Sequence, residues 1–575
     1  MEETIKKLPY GNSNFESIRM DNYAYIDKTQ FIELLENEIN RYQFFIRPRK
    51  FGKSLFLSML SFYYDLNTAD KFQPLFGNLY IGRHPTPEKN SFVILKFNFS
   101  GINTGSEKDF LTSFSQIVQY WVNSSIESYR NIFENPDELL RETKELNPGI
   151  QSLLILYKAA RKANRQIFVI IDEYDHFAND LIAMGNRLGE DVYRRMVRAN
   201  GIVRDFYETV KIGTSDVVKR IFITGISPVM LDDLTSGFNI ASNLSLKLLY
   251  NEMMGFTQVE VNELMKKTGV NPDLINVDVK AYYNGYLFHE DGENRIYNPS
   301  MMLYFFNELL TDKKAPKYLL DENLKTDYGR LQRLATNEKN RQKLIEITKE
   351  GGVVAEIIPK FSIDRLEDDE YFVSLLFYMG LLTIKEPYFG MVQLMIPNYS
   401  IQTIYWDYIR LLMQDSSLET SMDVHHLNKA IIAMAMDGDA FAYIDYVSKN
   451  AFAKLSDRDL RHFDEKYIQI LLLSYLFQNR IYIPMSEYEA VPGFADIFLQ
   501  RNPEFPQVKY EWLFEIKYLK VSEADKLPQK MEEAKTQLEK YQHAFRLAGR
   551  PGLYGASIVF VGKDRFELSV AEPVK

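Results

Sequence analysis

The chain has 575 residues, of which 46% are hydrophobic and 25% are charged, and its formal net charge is −10. These proportions are typical of a soluble protein with several domains, and no apolar run approaches the roughly 18 residues needed to span a bilayer. Cysteine is absent, which excludes disulfides, thiolate zinc sites and cysteine nucleophiles. The negative charge argues against non-specific coating of nucleic acid but permits a local basic groove. With an N-terminus that lacks the apolar segment of a signal peptide, these features predict a cytoplasmic protein with no membrane partner.

A basic turn between an apolar run and a helix-like stretch predicts a phosphate-binding loop. The run Tyr42–Ile46 is followed by Arg-Pro-Arg-Lys-Phe-Gly-Lys-Ser at 47–54, and Leu55–Leu60 has a helical pattern. In such a loop, backbone N–H groups hold phosphate oxygens, a lysine reaches the β- and γ-phosphates, and a hydroxyl binds Mg²⁺. Arg47 stands where the usual motif has its first glycine, so the match is incomplete. The alternative is a basic helix cap on a surface turn.

A second apolar run ends abruptly in acidic residues. Ile167–Ile171 is typical of a parallel strand buried on both faces, and Asp172 and Glu173 follow it. Ligands of open α/β sheets lie beyond the carboxyl ends of the strands. We therefore expect Asp172 beside the phosphate loop, holding Mg²⁺, and Glu173 orienting or deprotonating the attacking water. A third run, Arg220–Ser227, ends in small polar residues such as Thr224 that are candidates for sensing a γ-phosphate. The alternative for Asp172 is a strand that ends in a solvated acidic turn.

The alternation of strand-like and helix-like runs predicts an α/β protein. Candidate strands at 42–46, 92–98, 167–171 and 221–224 indicate a mostly parallel sheet flanked by helices in a first domain, 1–255. Helical patterns with a late hairpin predict a lid and a winged-helix-like region over 256–410. A helical connector over 411–463 and a final α/β unit over 464–575 complete the predicted organisation.

Two carboxylates and a lysine predict a metal-dependent phosphodiesterase site in the final unit. Glu515 and Lys517 are two residues apart on a strand, so their side chains share one face, and Asp496 is expected on the adjacent strand. Two carboxylates can hold a divalent metal, and the lysine can position water or stabilise the developing charge on phosphate. Gln537 and Tyr541 share one face of the following helix and are expected to press against the site. The alternative is an ordinary half-buried strand edge.

These motifs resemble those of a bacterial family that joins an AAA-like, STAND-related ATPase to a C-terminal domain of the PD-(D/E)XK nuclease superfamily. The resemblance covers nearly the whole chain. It implies that an arginine in place of the first glycine of the loop, as at Arg47, is usual in this family. Beyond the loop and the acidic motif, it includes Leu8–Gly11, Phe15–Arg19, Tyr25–Thr29, Arg204–Tyr207, Phe222–Ser227, Tyr283–Tyr286 and Tyr297–Pro299.

The resemblance implies two sites, one for ATP with Mg²⁺ and one for a divalent metal and DNA. The residues expected to bind the nucleotide are Arg47, Pro48, Arg49, Lys50, Phe51, Gly52, Lys53, Ser54, Leu55, Asp172 and Thr224. The residues expected to bind metal are Ser54 and Asp172 at the first site and Glu487, Asp496 and Glu515 at the second. The residues expected to act in catalysis are Glu173, Asp496, Glu515, Lys517, Gln537 and Tyr541.

Three functions are compatible with these residues. The leading hypothesis is a nuclease that cleaves DNA under the control of ATP binding or hydrolysis, with defence or mobile-element biology as its expected setting. The second is a STAND-type nucleotide switch or nucleic-acid-binding protein whose nuclease-like domain is inactive. The third is a housekeeping NTPase with structural acids at its C-terminus. The phosphate loop is compatible with either ATP or GTP.

Some histidines and arginines that could bind a metal or stabilise charge are not assigned to either site. His425 and His426 are adjacent, not one helical turn apart, and so make a poor metal pair. Arg204 and Arg220 are candidates for charge-stabilising fingers, but an arginine in such a position is more commonly paired or on the surface.

Overall fold

The computed structural model describes residues 5–145, 148–183, 187–198, 201–234, 238–316, 318–321, 338–416, 423–455, 464–490, 493–502, 504–547 and 552–572. The chain divides into two compact units. The first contains Met1–Lys343 and Gly352–Asn398, and the second contains Leu344–Gly351 and Tyr399–Lys575. The finer division into four parts stays a prediction.

A five-stranded parallel sheet forms the centre of the first unit. Its strands are β1 (Tyr42–Ile46), β2 (Phe92–Asn98), β3 (Gln166–Asp172), β4 (Val218–Gly225) and β5 (Ser242–Asn243). Their order is β2-β3-β4-β1-β5, and every neighbouring pair is parallel. All residues of β3 except the first are buried, which fits an apolar strand covered on both faces. The predicted parallel sheet is therefore confirmed.

Helices pack against this sheet and extend beyond it. Among them α3, α6, α8 and α11 contact the sheet strands directly. The helices up to residue 398 are α1 (Phe15–Met20), α2 (Gln30–Asn37), α3 (Lys53–Tyr64), α4 (Phe72–Phe76), α5 (Tyr80–Arg83), α6 (Glu107–Ser128), α7 (Pro136–Glu145), α8 (Ser152–Lys162), α9 (His176–Ala183), α10 (Arg187–Val197), α11 (Ile202–Thr214), α12 (Leu231–Leu234), α13 (Gln258–Thr268), α14 (Val279–Tyr283), α15 (Pro299–Asp312), α16 (Glu338–Glu350) and α17 (Asp369–Tyr378).

A small antiparallel sheet follows the helical region of the first unit. It consists of β6 (Gly352–Ala355), β7 (Thr383–Tyr388) and β8 (Met391–Met395) in the order β6-β8-β7. The helix α17 precedes the β7–β8 hairpin, as the sequence pattern indicates. The winged-helix label for this region stays a prediction.

The second unit contains a mixed five-stranded sheet with helices. Its strands are β9 (Tyr482–Ala490), β10 (Gly493–Arg501), β11 (Glu511–Leu519), β12 (Leu553–Val561) and β13 (Arg565–Ala571), in the order β13-β12-β11-β10-β9. Only the β11–β12 pair is parallel. The helices are α18 (Tyr399–Ser416), α19 (Val424–Met436), α20 (Ala440–Asn450), α21 (Glu465–Leu476) and α22 (Leu527–Leu547).

The helix α22 connects the two parallel strands β11 and β12 and packs on both of them. A parallel pair needs such a crossover because a short turn cannot return the chain to the same end of the sheet. No helix among the described residues combines the length and apolar character that crossing a bilayer requires.

Candidate functional sites

The turn between β1 and α3 has the backbone shape of an anion-binding loop. Gly52 has φ of +93° and caps the N-terminus of α3, and Lys50 has φ of +66°. Glycine adopts this left-handed region readily, whereas a side chain at that position would add strain. The first turn of a helix presents N–H groups that have no partner within the helix, and these attract phosphate oxygens. The predicted loop is thus built with its helix N-terminus beyond the end of β1.

The side chain of Lys53 folds back over this loop. Its Nζ donates to the carbonyl oxygens of Arg47 and Pro48, each at 2.8 Å. Burial lowers the pKa of Lys53 to about 8, although the nearby Asp172 carboxylate acts in the opposite direction. A buried ammonium held by neutral carbonyls gains further stabilisation from a charged phosphate. Lys53 is therefore suited to an anionic ligand at this place.

The predicted acidic motif reaches the loop from β3. Ser54 donates from its Oγ to Asp172 Oδ2 at 2.9 Å, and the backbone N–H of Glu173 donates to Asp172 Oδ1 at 3.0 Å. Glu173 has φ of +52°, an uncommon conformation for a residue with a side chain. Burial raises the pKa of Glu173, and the Asp172 carboxylate adds to this effect. Hydroxyl and carboxylate thus lie together where the sequence predicts a Mg²⁺ ligand pair.

A cavity of about 520 Å³ opens beside the loop, a volume typical of small-molecule sites. Its lining contains most of the predicted nucleotide-binding residues, together with the predicted base Glu173. These are Arg49, Lys50, Phe51, Gly52, Lys53, Ser54, Leu55 and Asp172. The lining also contains apolar residues, among them Ile18, Tyr25, Ile26, Met253, Phe256 and Leu264. The cavity thus offers polar groups that suit phosphates and apolar groups that suit a base.

Arg47 does not line this cavity, contrary to its predicted role. Its guanidinium is 1% exposed and donates to the carbonyl oxygens of Ile46, Ser245 and Tyr250 at 2.8 to 2.9 Å. Its backbone N–H donates to Gly225 O at 3.3 Å. The side chain and the N–H are both engaged inside the fold, so neither is presented to a ligand.

The guanidinium of Arg47 is also held between two aromatic rings. It lies 4.2 Å from the ring centre of Phe45 and 3.9 Å from that of Phe288. Such contacts stabilise a desolvated cation. Pro48 is likewise buried outside the cavity wall, where its carbonyl accepts from Lys53. Arg47 and Pro48 therefore support the loop from inside the fold.

Replacing Arg47 with methionine is expected to destabilise the first unit by about 3 kcal/mol or more. Three buried carbonyl oxygens lose their donor, and each such loss costs on the order of 1–3 kcal/mol. The measurement is the urea midpoint of unfolding. The matched variant Arg49→Met, at a half-buried cavity residue, should change the midpoint much less. Equal midpoints for Arg47→Met and the parent would contradict this role.

Thr224 and the two candidate arginine fingers are also engaged elsewhere. Thr224 donates from Oγ1 to Phe45 O at 2.7 Å, is fully buried and does not line the cavity. Arg220 forms a buried ion pair with Glu88. Arg204 forms an ion pair with a glutamate one turn along α11. The geometry thus does not support phosphate sensing by Thr224, and it supports the structural alternative for both arginines.

Asp175, two residues after Glu173, has a structural role that the sequence does not reveal. It is fully buried, and its Oδ2 accepts from the backbone N–H and the Oγ of Ser227 at 2.7 and 2.9 Å. The N–H of Ile226 also donates to this carboxylate. These bonds fasten the segment after β4 to the segment after β3, so Asp175 fixes the edge of the sheet at which Asp172 emerges.

The predicted cluster of the second unit is assembled on β10 and β11. These strands are antiparallel, with Ile497 opposite Phe514, and the Oδ2 of Asp496 accepts from the N–H of Ile516 at 2.7 Å. Lys517 Nζ lies 2.8 Å from Glu515 Oε1. The two-residue spacing therefore places both side chains on one face, as the strand period requires.

The carboxylate of Glu515 keeps one oxygen without a partner. Glu515 is 2% exposed, and its Oε2 has no hydrogen bond among the described residues. Ser557, its register partner on β12, is fully buried and its hydroxyl lacks a partner in the same part of the chain. Buried polar atoms are nearly always satisfied, so such a pair indicates a site for an ion or for water.

Burial and nearby like charges both raise the pKa values of Asp496 and Glu515. Burial, and after it the neighbouring Glu515 carboxylate, raise the pKa of Asp496 to about 7. Burial raises the pKa of Glu515 as well, while the Lys517 ammonium opposes this shift. Two carboxylates that are costly to ionise together gain most from a bound cation.

Two further residues of the site lie on α21 and were not found from the sequence. Glu465 Oε1 is 3.4 Å from Lys517 Nζ, which brings a third carboxylate to the cluster. Gln469 is buried and donates from Nε2 to the backbone oxygen of Asp496. Both reach the site because α21 packs on the sheet. The sequence alone shows Glu465 only as an acidic residue at the start of a helix.

The helix α22 brings one of its two predicted residues close to the cluster. The ring of Tyr541 lies against Gly493 of β10, where an added Cβ would be 3.0 Å from the ring. The pKa of Tyr541 is raised by burial and by Glu515 and Asp496. Gln537 has a buried Oε1 without a partner in the described part of the chain. Glu487 lies on β9, and its side chain is outside the described residues.

Comparison with known proteins agrees with this two-site architecture. Residues 9–235 match the family model described as "Predicted AAA-ATPase", and residues 463–569 match that of the PD-(D/E)XK nuclease superfamily. The chain carries an AAA-ATPase-like domain and a PD-(D/E)XK nuclease-superfamily domain. Both domains thus belong to superfamilies of enzymes, and the sequence-based resemblance is confirmed in these two parts.

One relative is a protein of Azotobacter chroococcum mcd 1 described as an uncharacterized protein in the vnfD 5′ region. It is 26% identical over 350 residues, which cover 56% of this chain and 59% of that protein. Two solved structures are also similar. A Walker-type ATPase of Pyrococcus abyssi has a TM-score of 0.36 at 13% identity and covers 66% of this chain and 94% of its own. The Aeropyrum pernix ORC1 protein in complex with DNA has a TM-score of 0.28 at 7% identity, with coverages of 69% and 97%.

The two carboxylates of the nuclease-superfamily site are donors of the kind that Mg²⁺ accepts. Among the side chains that the structure describes, no group of three or more His, Cys, Asp or Glu residues is arranged to hold a metal ion. Mg²⁺ commonly binds through one or two carboxylates and completes its shell with water and substrate phosphate. The unpartnered Oε2 of Glu515 beside Asp496 matches that pattern.

Replacing Asp496 with asparagine is expected to stabilise the metal-free nuclease-superfamily domain, and more so at high pH. The folded-state pKa of Asp496 lies above its unfolded value, so the parent loses stability as the pH rises from about 4 to about 7. Asparagine stays neutral and removes this loss. The gain in free energy of unfolding should be about 2 kcal/mol larger at pH 8 than at pH 5.

Unfolding midpoints in EDTA at both pH values measure this difference. Asp564→Asn, at an exposed position in the β12–β13 turn, serves as the control for the loss of a carboxylate from the same domain. A gain of equal size at pH 5 and pH 8 would show that Asp496 does not titrate as stated.

Proposed function

We propose that the chain is a nucleotide-regulated nuclease that binds ATP in its AAA-ATPase-like domain and cleaves DNA in its nuclease-superfamily domain. The observation that carries the proposal is the buried, unpartnered Oε2 of Glu515 beside Asp496 and Lys517. A buried carboxylate oxygen without a hydrogen bond is costly even when the other oxygen of the group is paired, and a functional site is a common reason for retaining it.

At the first site, the residues of the loop and of β3 suit ATP hydrolysis. The N–H groups at the start of α3 and Lys53 would bind the β- and γ-phosphates, while Ser54 and Asp172 would hold Mg²⁺ and its water. Glu173 would orient a water molecule and take up its proton as that water attacks the γ-phosphorus. The bond from the γ-phosphorus to the bridging oxygen then breaks, and ADP and phosphate leave. The apolar residues of the cavity lining would take the base.

At the second site, Asp496 and Glu515 would hold Mg²⁺ and Lys517 would act on the phosphodiester. Mg²⁺, when bound, would polarise the scissile phosphate and lower the pKa of a water molecule. Lys517 lies within 2.8 Å of Glu515 and would stabilise the charge that develops on the phosphate oxygens. The attacking water would form the new bond to phosphorus as its proton passes to solvent, and the bond to the leaving sugar oxygen would break as that oxygen takes up a proton from solvent.

We further propose that nucleotide bound at the first site regulates cleavage at the second, and the presence of both sites on one chain supports this. We propose defence or mobile-element biology as the setting of the activity. The absence of cysteine favours a cytoplasmic location.

A plasmid cleavage assay tests the proposal. Purified protein is incubated with supercoiled plasmid and MgCl₂, with ATP, with a non-hydrolysable analogue or without nucleotide, and parallel reactions contain EDTA. We expect nicked or linear product that requires the metal and changes in rate with the nucleotide. Plasmid binding without cleavage in every nucleotide state would instead support the switch whose nuclease-like domain is inactive.

A further inference from the structure

The helix that follows the acidic motif brings a histidine to the predicted base. The imidazole of His176 lies between two carboxylates at the start of α9. Its Nδ1 is 3.5 Å from Glu173 Oε2, and its Nε2 is 3.4 Å from Asp180 Oδ2. The spacings of three and four residues place all three side chains on one side of the first helical turn.

The carboxylate that His176 contacts belongs to Glu173, a residue of the cavity lining. Glu173 lines the cavity together with Lys53 and Ser54 and is held in a left-handed backbone conformation. Residues in such conformations persist only where their surroundings fix them, and they are enriched at active sites. The backbone bond to Asp172 fixes the main chain of Glu173, but it leaves the side-chain torsions free. A group that contacts the carboxylate itself is needed to set its direction.

We propose that His176 is a positioning residue that orients the Glu173 carboxylate toward the water beside the γ-phosphate. Asp180 holds the opposite nitrogen of the ring and fixes the ring plane. The inference rests on the proposed ATP hydrolysis at this site. Distances of 3.4 to 3.5 Å are longer than a good hydrogen bond, and catalytic contacts of this kind commonly tighten when substrate binds.

In this arrangement, the residues that bind the nucleotide differ from the residue that orients the Glu173 carboxylate for hydrolysis. His176 does not line the cavity, so nucleotide affinity depends on the loop, Lys53 and the apolar lining residues. Without the imidazole, the Glu173 carboxylate samples other rotamers and is less often aimed at the water. Loss of an outer-shell partner of this kind costs about 10-fold or more in activity. The kcat for ATP should therefore fall while the dissociation constant for nucleotide stays within about twofold.

Three substitutions of His176 distinguish orientation from simple packing. The amide nitrogen of asparagine occupies about the position of Nδ1, which faces Glu173, whereas that of glutamine approaches the position of Nε2, which faces Asp180. His176→Ala should therefore lower kcat about 10-fold, His176→Asn should restore most of it, and His176→Gln should resemble alanine. All three should bind a fluorescent ATP analogue like the parent.

The whole 575-residue chain is used. ATP turnover, affinity for the analogue and the thermal midpoint are measured for each variant and for Lys53→Ala.

Two results would overturn the orienting role and leave the ATPase proposal intact. One is a kcat for His176→Ala equal to that of the parent, and the other is an equal loss of kcat in His176→Ala and His176→Asn. A weakening of affinity in step with kcat would show a structural role instead. If the parent has no turnover that depends on Lys53, the ATPase proposal fails and this inference fails with it.

Discussion

Glu515→Gln is expected to reduce Mg²⁺-dependent plasmid cleavage on the order of 10³-fold or more, with ATP turnover unchanged. The substitution keeps the size of the side chain and removes the negative charge whose Oε2 is buried without a partner. A neutral amide is a poor ligand for Mg²⁺, and it also releases Lys517 from its ion pair. Cleavage rates on supercoiled plasmid at several Mg²⁺ concentrations give the measurement.

The matched control is Glu567→Gln, an exposed glutamate on β13 of the same domain. It should cleave like the parent. Unchanged cleavage in Glu515→Gln, with a clean preparation and the same metal dependence, would remove the nuclease assignment from this cluster. A loss of ATP turnover in the same variant would point to a folding defect, which the thermal midpoint would reveal.

Lys53→Ala is expected to weaken ATP binding about 100-fold and to abolish turnover. The ammonium belongs to a buried lysine of the phosphate-loop motif that lines the cavity, and a charge-assisted contact to phosphate is worth about 2–3 kcal/mol. Because the nucleotide is proposed to control cleavage, this variant should also lose the difference between cleavage with and without ATP. Binding is measured with a fluorescent analogue, and cleavage is measured as for Glu515.

Lys158→Ala, at an exposed position on α8, serves as the matched control and should behave like the parent. The parent should also bind ATP more weakly as the pH rises through about 8. Burial lowers the pKa of Lys53 to that value, so binding an anion above it requires uptake of a proton. Parental affinity in Lys53→Ala would contradict a nucleotide site at this loop.

The strands of the first unit were predictable because their signal is local. The run Tyr42–Ile46 matches β1 in full, and 92–98 matches β2, since apolar runs of this length between polar turns have few other structures available. The shared face of Glu515 and Lys517 followed from the strand period alone. The proximity of Ser54 and Asp172 was predictable because residues that follow parallel strands meet at the same edge of the sheet.

The residues that were misassigned or missed depend on contacts that the sequence pattern does not show. Arg47 appeared to belong to the loop by its position, but two of the three carbonyls that hold it come from 245 and 250. Glu465 was missed because it reaches Lys517 through the packing of α21 on the sheet of β10 and β11. His176 was missed although it lies only three residues from Glu173, because a single histidine is no signal until the turn between them is known.

The most direct test of the account is a crystal structure of the 575-residue chain with Mn²⁺, using anomalous scattering to locate the metal. Mn²⁺ replaces Mg²⁺ at oxygen sites and is visible by its own signal. The account predicts an anomalous peak bonded to Glu515 Oε2 and to Asp496, and no such peak in Glu515→Gln. Well-ordered density for both carboxylates, with the Glu515–Lys517 ion pair intact and anomalous peaks only elsewhere, would contradict it.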